Sequence, residues 1–302
     1  MAQDTHRTGL DAWDEIRTAY QVARLGTVSG AADVLGVHHA TVIRHIDSLE
    51  KRLGSKLFQR HARGYTATEA GMDLLQVATA TDEQFTQLAS RIRGQGEGVT
   101  GELIVTSLSI LSQLLTPIIA DFQREHPGLL VRFLTDKRIF RLEYGEAHVA
   151  IRAGSAPVEP DNVVQPFMRL RQGLFASKGY AERHGLPSGE SDLSAHVFVG
   201  DDGEVSRAPF FQWLSKNVPA ERITWRATEA EAMHDAVRAG AGLGFVPAYL
   251  GARDPDLVEA LPARDDWTSQ LWLVTHVDLH RTAKVQAFLT YLKDVAKSWG
   301  EV

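Results

Sequence analysis

The sequence predicts a multidomain α/β chain: a winged helix-turn-helix domain, then a long helix, then a two-lobed α/β domain. Three observations carry this prediction. Two amphipathic helices meet at Gly36, a helix with heptad spacing follows them, and strands alternate with helices from Glu102 onward. The 302 residues suffice for two or three domains, and 44% of them are hydrophobic, so sizeable cores can form.

The first pattern, over residues 28–66, is typical of a helix-turn-helix followed by a hairpin. Ala31 and Ala32 are small enough for two helices to approach closely. Gly36 stands where the chain must turn sharply, because glycine tolerates the left-handed backbone that ends a helix. We expect a first helix over 11–25, a second capped by Ser29, and a third over about 40–53. An ordinary surface pair of helices is the alternative that this pattern leaves open.

The exposed face of the third helix and the hairpin, or wing, supply the candidate DNA contacts. These are His38, His39, Thr41, Arg44, His45, Arg60 and Arg63. The second helix of a helix-turn-helix lies in the major groove, where an arginine can bind a guanine edge or hold a phosphate. The net charge of the chain is −6, but residues 36–66 hold six basic and two acidic residues, so the local charge allows a nucleic-acid partner. For each histidine, a solvated surface position is an equal alternative.

A long helix is predicted over residues 67–93, opened by the capping-box spacing of Thr66 and Glu69. Its apolar residues recur at alternating steps of four and three, with Thr81 as a polar interruption. This seam predicts a dimerisation contact made by Leu74, Ala78, Phe85, Leu88 and Ile92. Packing of the helix on its own chain is the alternative. The glycine-rich residues 94–101 follow as a hinge.

From residue 102, alternating strands and helices imply a parallel sheet with flanking helices. We expect lobe I to comprise about 102–165 and 270–302, and lobe II about 166–269, with a ligand cleft where the strands end. Candidate ligand contacts near these ends are Ser107, Ser109, Arg152, Gly200 and Asp201. Ser107 and Ser109 precede a helix, whose free amides favour an anion such as a carboxylate. For Arg152, a structural salt bridge is at least as good an interpretation.

Composition and motifs argue against several other classes. The chain has no cysteine, hence no disulfide or thiolate zinc site. No apolar run reaches membrane-spanning length and residues 1–10 lack a signal-peptide core, so a cytoplasmic protein is expected. Without a G-x-S-x-G, H-E-x-x-H or P-loop motif, we expect no enzyme, cofactor or metal; His276 and His280 straddle a strand end. A solute-binding or enzymatic α/β protein remains the alternative, opposed by residues 1–93.

Residues along nearly the whole chain resemble LysR-type transcriptional regulators. The stretches that carry the resemblance are 26–28, 31–32, 35–37, 41–44, 49–50, 53–54, 57–60, 68–71, 122–127, 145–152 and 239–247. The resemblance implies a winged helix-turn-helix, a linker helix that dimerises, and a periplasmic-binding-protein-like effector domain. It also implies tetramers, built as dimers of dimers, that bend promoter DNA. In this family Arg44 would be the recognition-helix arginine, and Thr135 would line the effector cleft.

The chain departs from the family at two positions of the recognition helix. His38 and Ile43 stand where the family usually has serine. We expect His38, with His39, to alter base or phosphate readout, and Ile43 either to pack inward or to remove a phosphate contact. The resemblance implies a sequence-specific regulator of promoter DNA, modulated by an unidentified small molecule, with RNA polymerase as a further candidate partner. A regulator that acts without a ligand is the alternative.

Overall fold

The computed structural model describes residues 12–61, 64–92, 99–136, 138–203 and 208–299. The predicted contact Arg63 and most of the glycine hinge lie outside these ranges, as does the side chain of Ile92. The chain forms two compact units. The first contains the N-terminal domain, the long helix and the segments Arg141–His148 and Asp278–Ala283, and the second contains the rest of the α/β domain.

The first unit begins with three helices, a hairpin and a long helix. Their bounds are α1 Trp13–Leu25, α2 Val28–Leu35, α3 His39–Leu53, β1 Phe58–His61, β2 Gly64–Ala67 and α4 Glu69–Ile92. Strands β1 and β2 pair antiparallel to form the wing. Gly36 ends α2 with φ +65°, as the sequence predicts, because this left-handed backbone suits glycine.

The winged-helix core lies where α1, α2, α3 and the start of β1 meet. Its buried members are Ala19, Val22, Ala31, Ala32, Val42, Ile46, Leu49, Leu57 and Phe58. The predicted helix contact at Ala31 and Ala32 is confirmed, since both side chains are buried. The wing is anchored at its first strand, where Leu57 and Phe58 are buried as predicted. This core holds α3 and the wing in one rigid surface.

Two predicted helix caps are wrong. The cap of α2 is Thr27, whose Oγ1 accepts a hydrogen bond from the Gly30 amide at 3.1 Å, and not Ser29. Thr66 lies in β2, where it pairs with Gln59, so its backbone belongs to the hairpin and cannot open a helix. The residue that precedes α4 is Thr68, whose Oγ1 accepts from the Gly71 amide at 3.2 Å. The long helix therefore begins at Glu69 instead of residue 67.

Lobe I of the second unit is a five-stranded sheet covered by two helices. Its elements are β3 Gly101–Ser107, α5 Ser112–Glu125, β4 Leu129–Thr135, β5 Val149–Ala153, β6 Asn162–Leu170, β12 Ser269–His276 and α11 Ala283–Ala296. The strand order is β4-β3-β5-β12-β6. Leucine, isoleucine, valine and phenylalanine side chains of β3, β5, β12, α5 and α11 form its core. Helix α11 thus packs on the lobe where the chain entered.

Lobe II consists of two small sheets with helices around them. Its elements are β7 Gln172–Ser177, α6 Lys178–His184, β8 Phe198–Asp201, α7 Pro209–Asn217, β9 Ile223–Ala227, α8 Ala230–Arg238, β10 Gly244–Pro247, α9 Ala248–Gly251 and β11 Leu257–Leu261. Strands β10, β7 and β11 pair antiparallel, whereas β8 and β9 pair parallel. A last short helix, α10 Val277–His280, follows β12.

The predicted parallel pairing is confirmed for only some of the strands in each lobe. In lobe I only β3, β4 and β5 run parallel, because β12 returns from lobe II in the opposite direction and pairs antiparallel with β5 and β6. Strands β6 and β11 have no clear signal in the sequence. Strand β6 contains Pro166, which is tolerated because β6 is an edge strand. A single 3-10 turn, Leu142–Tyr144, precedes β5.

None of the helices in the described part of the chain has the length and apolarity needed to cross a membrane.

Candidate DNA-binding surface and ligand cleft

The N-terminal half of α3 is exposed to solvent. His38, His39 and Arg44 are exposed, and Thr41 is half-buried beside them. Arg44 makes no ion pair with any residue that the structure describes, so its guanidinium is available to a partner. Ile43 also lies on this surface with 37% of its area exposed, so its inward-packing alternative is wrong. The surface therefore offers one arginine, two imidazoles and an isoleucine.

His45 contacts α1 instead of facing outward. Its Nδ1 lies 2.9 Å from the hydroxyl of Thr18, and that hydroxyl donates to the carbonyl of Asp14 at 2.6 Å. Because a hydroxyl carries one proton, His45 must donate its Nδ1–H to Thr18. His45 is thus half-buried and joins α3 to α1, and its role as a DNA contact stays a prediction.

The wing arginine Arg60 is held by acidic residues of α3. Its guanidinium forms an ion pair with Asp47 and lies 3.6 Å from Glu50. The Cζ atom of Arg60 also lies over the ring of Tyr65 on β2, 5.3 Å from the ring centroid. The hydrogen bond that Arg60 donates to Asp47 raises the pKa of Arg60. Arg60 therefore fastens the wing to α3, which differs from the free phosphate contact that the sequence predicts.

Glu50 is a buried carboxylate that the sequence analysis did not identify. Its side chain is 2% exposed, and Oε1 accepts hydrogen bonds from the amides of Leu57 and Phe58 at 2.9 and 3.2 Å. Lys56 donates to Oε2 at 2.6 Å. The available signal was its position four residues after Ile46, on the edge of the apolar face of α3. Glu50 fixes the start of the wing relative to the recognition helix.

The apolar residues of the seam predicted for α4 are partly buried within the chain and partly exposed. Leu74 is partly buried against the winged-helix core and Ala78 is buried within the chain, and their role in dimerisation stays a prediction. Phe85 and Leu88 are 54% and 42% exposed, as a dimerisation contact requires. Val77, which the seam omitted, is 62% exposed.

Trp13 of α1 extends the apolar surface of α4. Its ring lies 5.9 Å from that of Phe85 in an edge arrangement, and 60% of the residue is exposed. Trp13 therefore joins three large, exposed apolar side chains of α4. We call them the apolar strip: Trp13, Val77, Phe85 and Leu88.

In the second unit, three candidate ligand contacts gather where β3 and β4 end. Ser107 and Thr135 are paired in the register of these parallel strands, so they are neighbours. Ser107 is 4% exposed, and its Oγ has no hydrogen-bond partner among the described residues. Thr135 is exposed. Ser109 follows in the 3-10 turn that leads into α5, and its Oγ donates to Glu231 Oε2 at 2.9 Å.

Tyr249 of α9 contacts the same 3-10 turn. Its hydroxyl donates to the carbonyl of Ile110 at 3.1 Å. Burial raises the pKa of Tyr249 to about 12, and the nearby charge of Glu231 acts in the same direction. The phenol is therefore protonated at neutral pH and can keep donating this hydrogen bond. Neither Glu231 nor Tyr249 was identified from the sequence, because both come from lobe II, more than 100 residues away.

The remaining three candidates have structural contacts. Arg152 donates to the carbonyl of Phe140 at 2.9 Å and lies 3.8 Å from Glu159, which favours its salt-bridge interpretation. A Cβ at Gly200 would lie 2.6 Å from Ile223 Cγ2, so this glycine allows β8 and β9 to pack. The carbonyl of Asp201 accepts from Arg226 at 3.2 Å across the same strand pair. These contacts place Gly200 and Asp201 in the packing of lobe II.

Two surface grooves lie away from the strand ends. One, of about 680 Å³, is lined by residues of α5 and α11. The other, of about 590 Å³, lies along β6 and α11. Neither is lined by a candidate ligand contact. Among the described residues, no group of three His, Cys, Asp or Glu side chains could hold a metal ion.

A winged helix-turn-helix, a long helix and a two-lobed α/β domain together define a transcriptional regulator with its own effector domain. The family model for bacterial regulatory helix-turn-helix proteins of the lysR family matches residues 13–72, and the model for the LysR substrate binding domain matches residues 96–297. The chain belongs to the LysR family of DNA-binding transcriptional regulators.

Named relatives agree with this assignment over most of the chain. The probable HTH-type transcriptional regulator LtrA of Klebsiella pneumoniae is 24% identical over 94% of this chain and 95% of its own length. The HTH-type transcriptional regulator IlvY of Escherichia coli (strain K12) is 28% identical over 81% of this chain and 84% of its own. Full-length LysG from Corynebacterium glutamicum with bound effector Arg has a TM-score of 0.70 at 15% identity, covering 94% of this chain and 98% of that one. This last likeness shows a shared fold.

Proposed function

We propose that this regulator binds promoter DNA as a homodimer or a dimer of dimers through its α3 helices, and that a small molecule at the ends of β3 and β4 modulates the binding. A promoter-binding role would place the protein in the cytoplasm, where it would meet RNA polymerase. The observation that carries the proposal is Arg44, an exposed arginine without an ion-pair partner among the described residues, on a helix that a buried core holds rigid.

The apolar strip supports the dimer in this proposal. Large apolar side chains that are about half exposed on a long helix lose contact with water when a second copy covers them. Two copies would hold their α3 helices at a fixed spacing, which matches the symmetry of a partly palindromic operator. Specific contacts would then come from Arg44, His39 and Thr41 at the N-terminal half of each α3.

The ligand part of the proposal is supported by polar groups at the strand ends. Ser107, Ser109 and Thr135 provide hydroxyl groups where parallel strands end, which is where open α/β sheets bind ligands. A ligand that contacts both lobes would change their geometry, and coupling through α4 would then change the DNA bend and the promoter output. A regulator that needs no ligand is the second candidate, favoured by the contacts that already join the lobes.

The DNA-binding proposal is tested by Arg44→Ala in an electrophoretic mobility shift assay with the DNA upstream of the gene. If Arg44 reads a guanine, its loss removes about 1–3 kcal/mol of discrimination, so binding to the operator weakens by roughly 5- to 150-fold. Binding to random duplex changes much less, because that binding depends on phosphate contacts.

The matched control is Arg17→Ala, which removes an equally exposed arginine from α1. It is expected to leave discrimination between operator and random duplex unchanged. Equal discrimination in the Arg44 variant and the unaltered protein would show that Arg44 is no base reader. Absence of any salt-sensitive, competitor-resistant complex at the tested promoters would oppose the whole proposal.

A further inference from the structure

The two lobes of the second unit are joined through neighbouring residues of one short turn. Ser109 Oγ donates to Glu231 Oε2 at 2.9 Å, and the Ile110 carbonyl accepts from the Tyr249 hydroxyl at 3.1 Å. Glu231 lies in the first turn of α8, and Tyr249 lies in α9. The turn that follows β3 is therefore fastened to lobe II by one side chain and one backbone carbonyl.

Apolar packing strengthens this junction. Ile110 and Tyr249 each lie against the core of lobe I and also against the lobe II cluster that contains Met233 and Val237. The Tyr249 phenol is protonated over the neutral range, since burial raises its pKa to about 12. The hydrogen bond between Ser109 and Glu231 thus lies beside an apolar contact that is partly shielded from water. This contact keeps the two side chains close together.

The Ser109 contact is an example of carboxylate recognition. A hydroxyl that donates to a carboxylate beside the start of a helix is the arrangement that the sequence predicts for an anionic ligand. The carboxylate found there belongs to Glu231 of the same chain. Ser107, two residues earlier, keeps a buried hydroxyl with no hydrogen-bond partner among the described residues. Such a group is usually satisfied by a water molecule or a ligand.

We propose that Glu231 is an internal ligand and a specificity-determining residue: it occupies the carboxylate site beside Ser109 and holds the lobes together without an effector. The inference rests on the effector role proposed above for the same strand ends. A ligand whose only anionic group is a carboxylate must displace Glu231, so the chain selects against monocarboxylates. Ligands that leave the Ser109–Glu231 contact intact, and act through Ser107 or Thr135, do not meet this competition.

Chemical rescue of full-length Glu231→Ala by acetate tests the proposal. The substitution removes the internal carboxylate, and we expect the thermal midpoint of unfolding to fall by roughly 2–4 °C. Acetate in the millimolar range should restore part of this loss in a saturable way, because it binds the folded state at the vacated site. Sodium chloride at equal ionic strength should not restore it, and the unaltered protein should not respond to acetate.

Two further variants complete the test. Asp235→Ala removes an exposed carboxylate from the same helix, and we expect neither the fall in midpoint nor the acetate response. Glu231→Ala combined with Ser109→Ala should lose the acetate response, because the donor is gone. The proposal is overturned if acetate and chloride act alike on Glu231→Ala, or if the double variant still responds to acetate.

Ser109→Ala alone keeps the proposal testable if Glu231→Ala does not fold. It removes one hydroxyl, and we expect faster hydrogen exchange in residues 108–112 and 230–238 than in the unaltered protein. Unchanged exchange in both segments would contradict a junction held by this contact. None of these measurements involves DNA, so their failure is distinguishable from a failure of the mobility-shift test, which concerns α3 alone.

Discussion

Arg60 and Asp47 show how a single ion pair changes the charge that the DNA-binding surface presents. The carboxylate of Asp47 lies on the exposed face of α3 and would repel phosphates, and the guanidinium of Arg60 neutralises it. In return, Arg60 cannot offer its full charge to DNA. The two residues together contribute almost no net charge, so Arg44 is the cation that the N-terminal half of α3 offers to a nucleic acid.

Replacing Asp47 by Asn should strengthen binding to any duplex. The change removes one negative charge and releases Arg60 from its strongest partner, so one more cation becomes available to phosphate. We expect the slope of log Kobs against log salt concentration to become steeper by about one. Fluorescence anisotropy with random duplex between about 50 and 200 mM salt measures this slope.

The control for this prediction is Asp33→Asn on α2, an exposed acid with no ion pair among the described residues. It removes the same charge but releases no arginine. If the two variants change the salt slope equally, the effect reflects net charge alone, and the release of Arg60 contributes nothing.

At the residue scale, the sequence predicted exposure and charge better than it predicted partners. Arg44, His38 and His39 were placed on the exposed face by helical periodicity, which depends only on neighbours in the chain. His45 of α3 contacts Thr18 of α1, 27 residues away, and Arg52 of α3 contacts Glu15 of α1, 37 residues away. Neither contact could be predicted from helical periodicity. Such pairs depend on how whole helices pack.

Gly71 shows why helix α4 needs a glycine in its first turns. Helix α4 passes the start of the wing so closely that a Cβ on Gly71 would lie 2.1 Å from the carbonyl oxygen of Leu57. That oxygen belongs to the backbone and already accepts a hydrogen bond from the Thr68 amide. The contact cannot relax by a side-chain rotation, so the glycine fixes how closely α4 packs against the wing.

Gly71→Ala should therefore destabilise the winged-helix domain. We expect a loss of about 1–3 kcal/mol in the free energy of unfolding, as for other overpacked sites, although alanine favours helices. Urea unfolding followed by circular dichroism measures the change. Gly179→Ala is the matched control, since it is also a helical glycine but its Cβ would meet only Arg183 Nη1 at 4.0 Å. The interpretation fails if both variants are as stable as the unaltered protein.

At the element scale, strongly periodic helices and buried strands were predicted well, and edge elements were missed. Strand β4 can be recognised in the sequence, because residues 129–135 are mostly apolar, apart from Arg132, and lie between a turn and a polar segment. Strand β6 was missed, since Pro166 and its half-buried residues give no clear alternation. The caps of α2 and α4 were displaced because each helix start has two candidate hydroxyl residues two positions apart: Thr27 and Ser29 for α2, and Thr66 and Thr68 for α4.

At the scale of the whole molecule, the predicted dimer can be tested by one substitution that places a charge in the apolar strip. Leu88→Glu places a carboxylate among side chains that a second copy should cover, where its burial is costly. We expect the variant to be monomeric by size-exclusion chromatography with light scattering. Its affinity for a two-half-site operator should fall at least tenfold, because linked binding of two half-sites is lost.

Val158→Glu is the control, because Val158 is 91% exposed and lies in lobe I, outside the apolar strip. It should keep the mass and the DNA affinity of the unaltered protein. A Leu88→Glu variant with the mass of the unaltered protein would show that subunits associate through another surface.

Periodicity predicts the long helix α4 from the sequence alone, but the contacts inside the effector domain could not be predicted in this way. The junction of Ser109 with Glu231 joins residues 122 positions apart, and no local pattern indicates which helix of lobe II lies opposite the end of β3.

The strand order of lobe I also has a consequence for how the chain folds during synthesis. Strand β12 lies between β5 and β6, and Lys284 at the start of α11 donates to the carbonyl of Glu102 at the start of β3. The sheet that begins at residue 101 thus remains incomplete until the ribosome has released nearly the entire chain. Lobe II, whose strands all come from the continuous stretch 172–261, can form first. Until β12 has been synthesised, one edge of β5 stays unpaired, and such an edge is open to pairing with another chain.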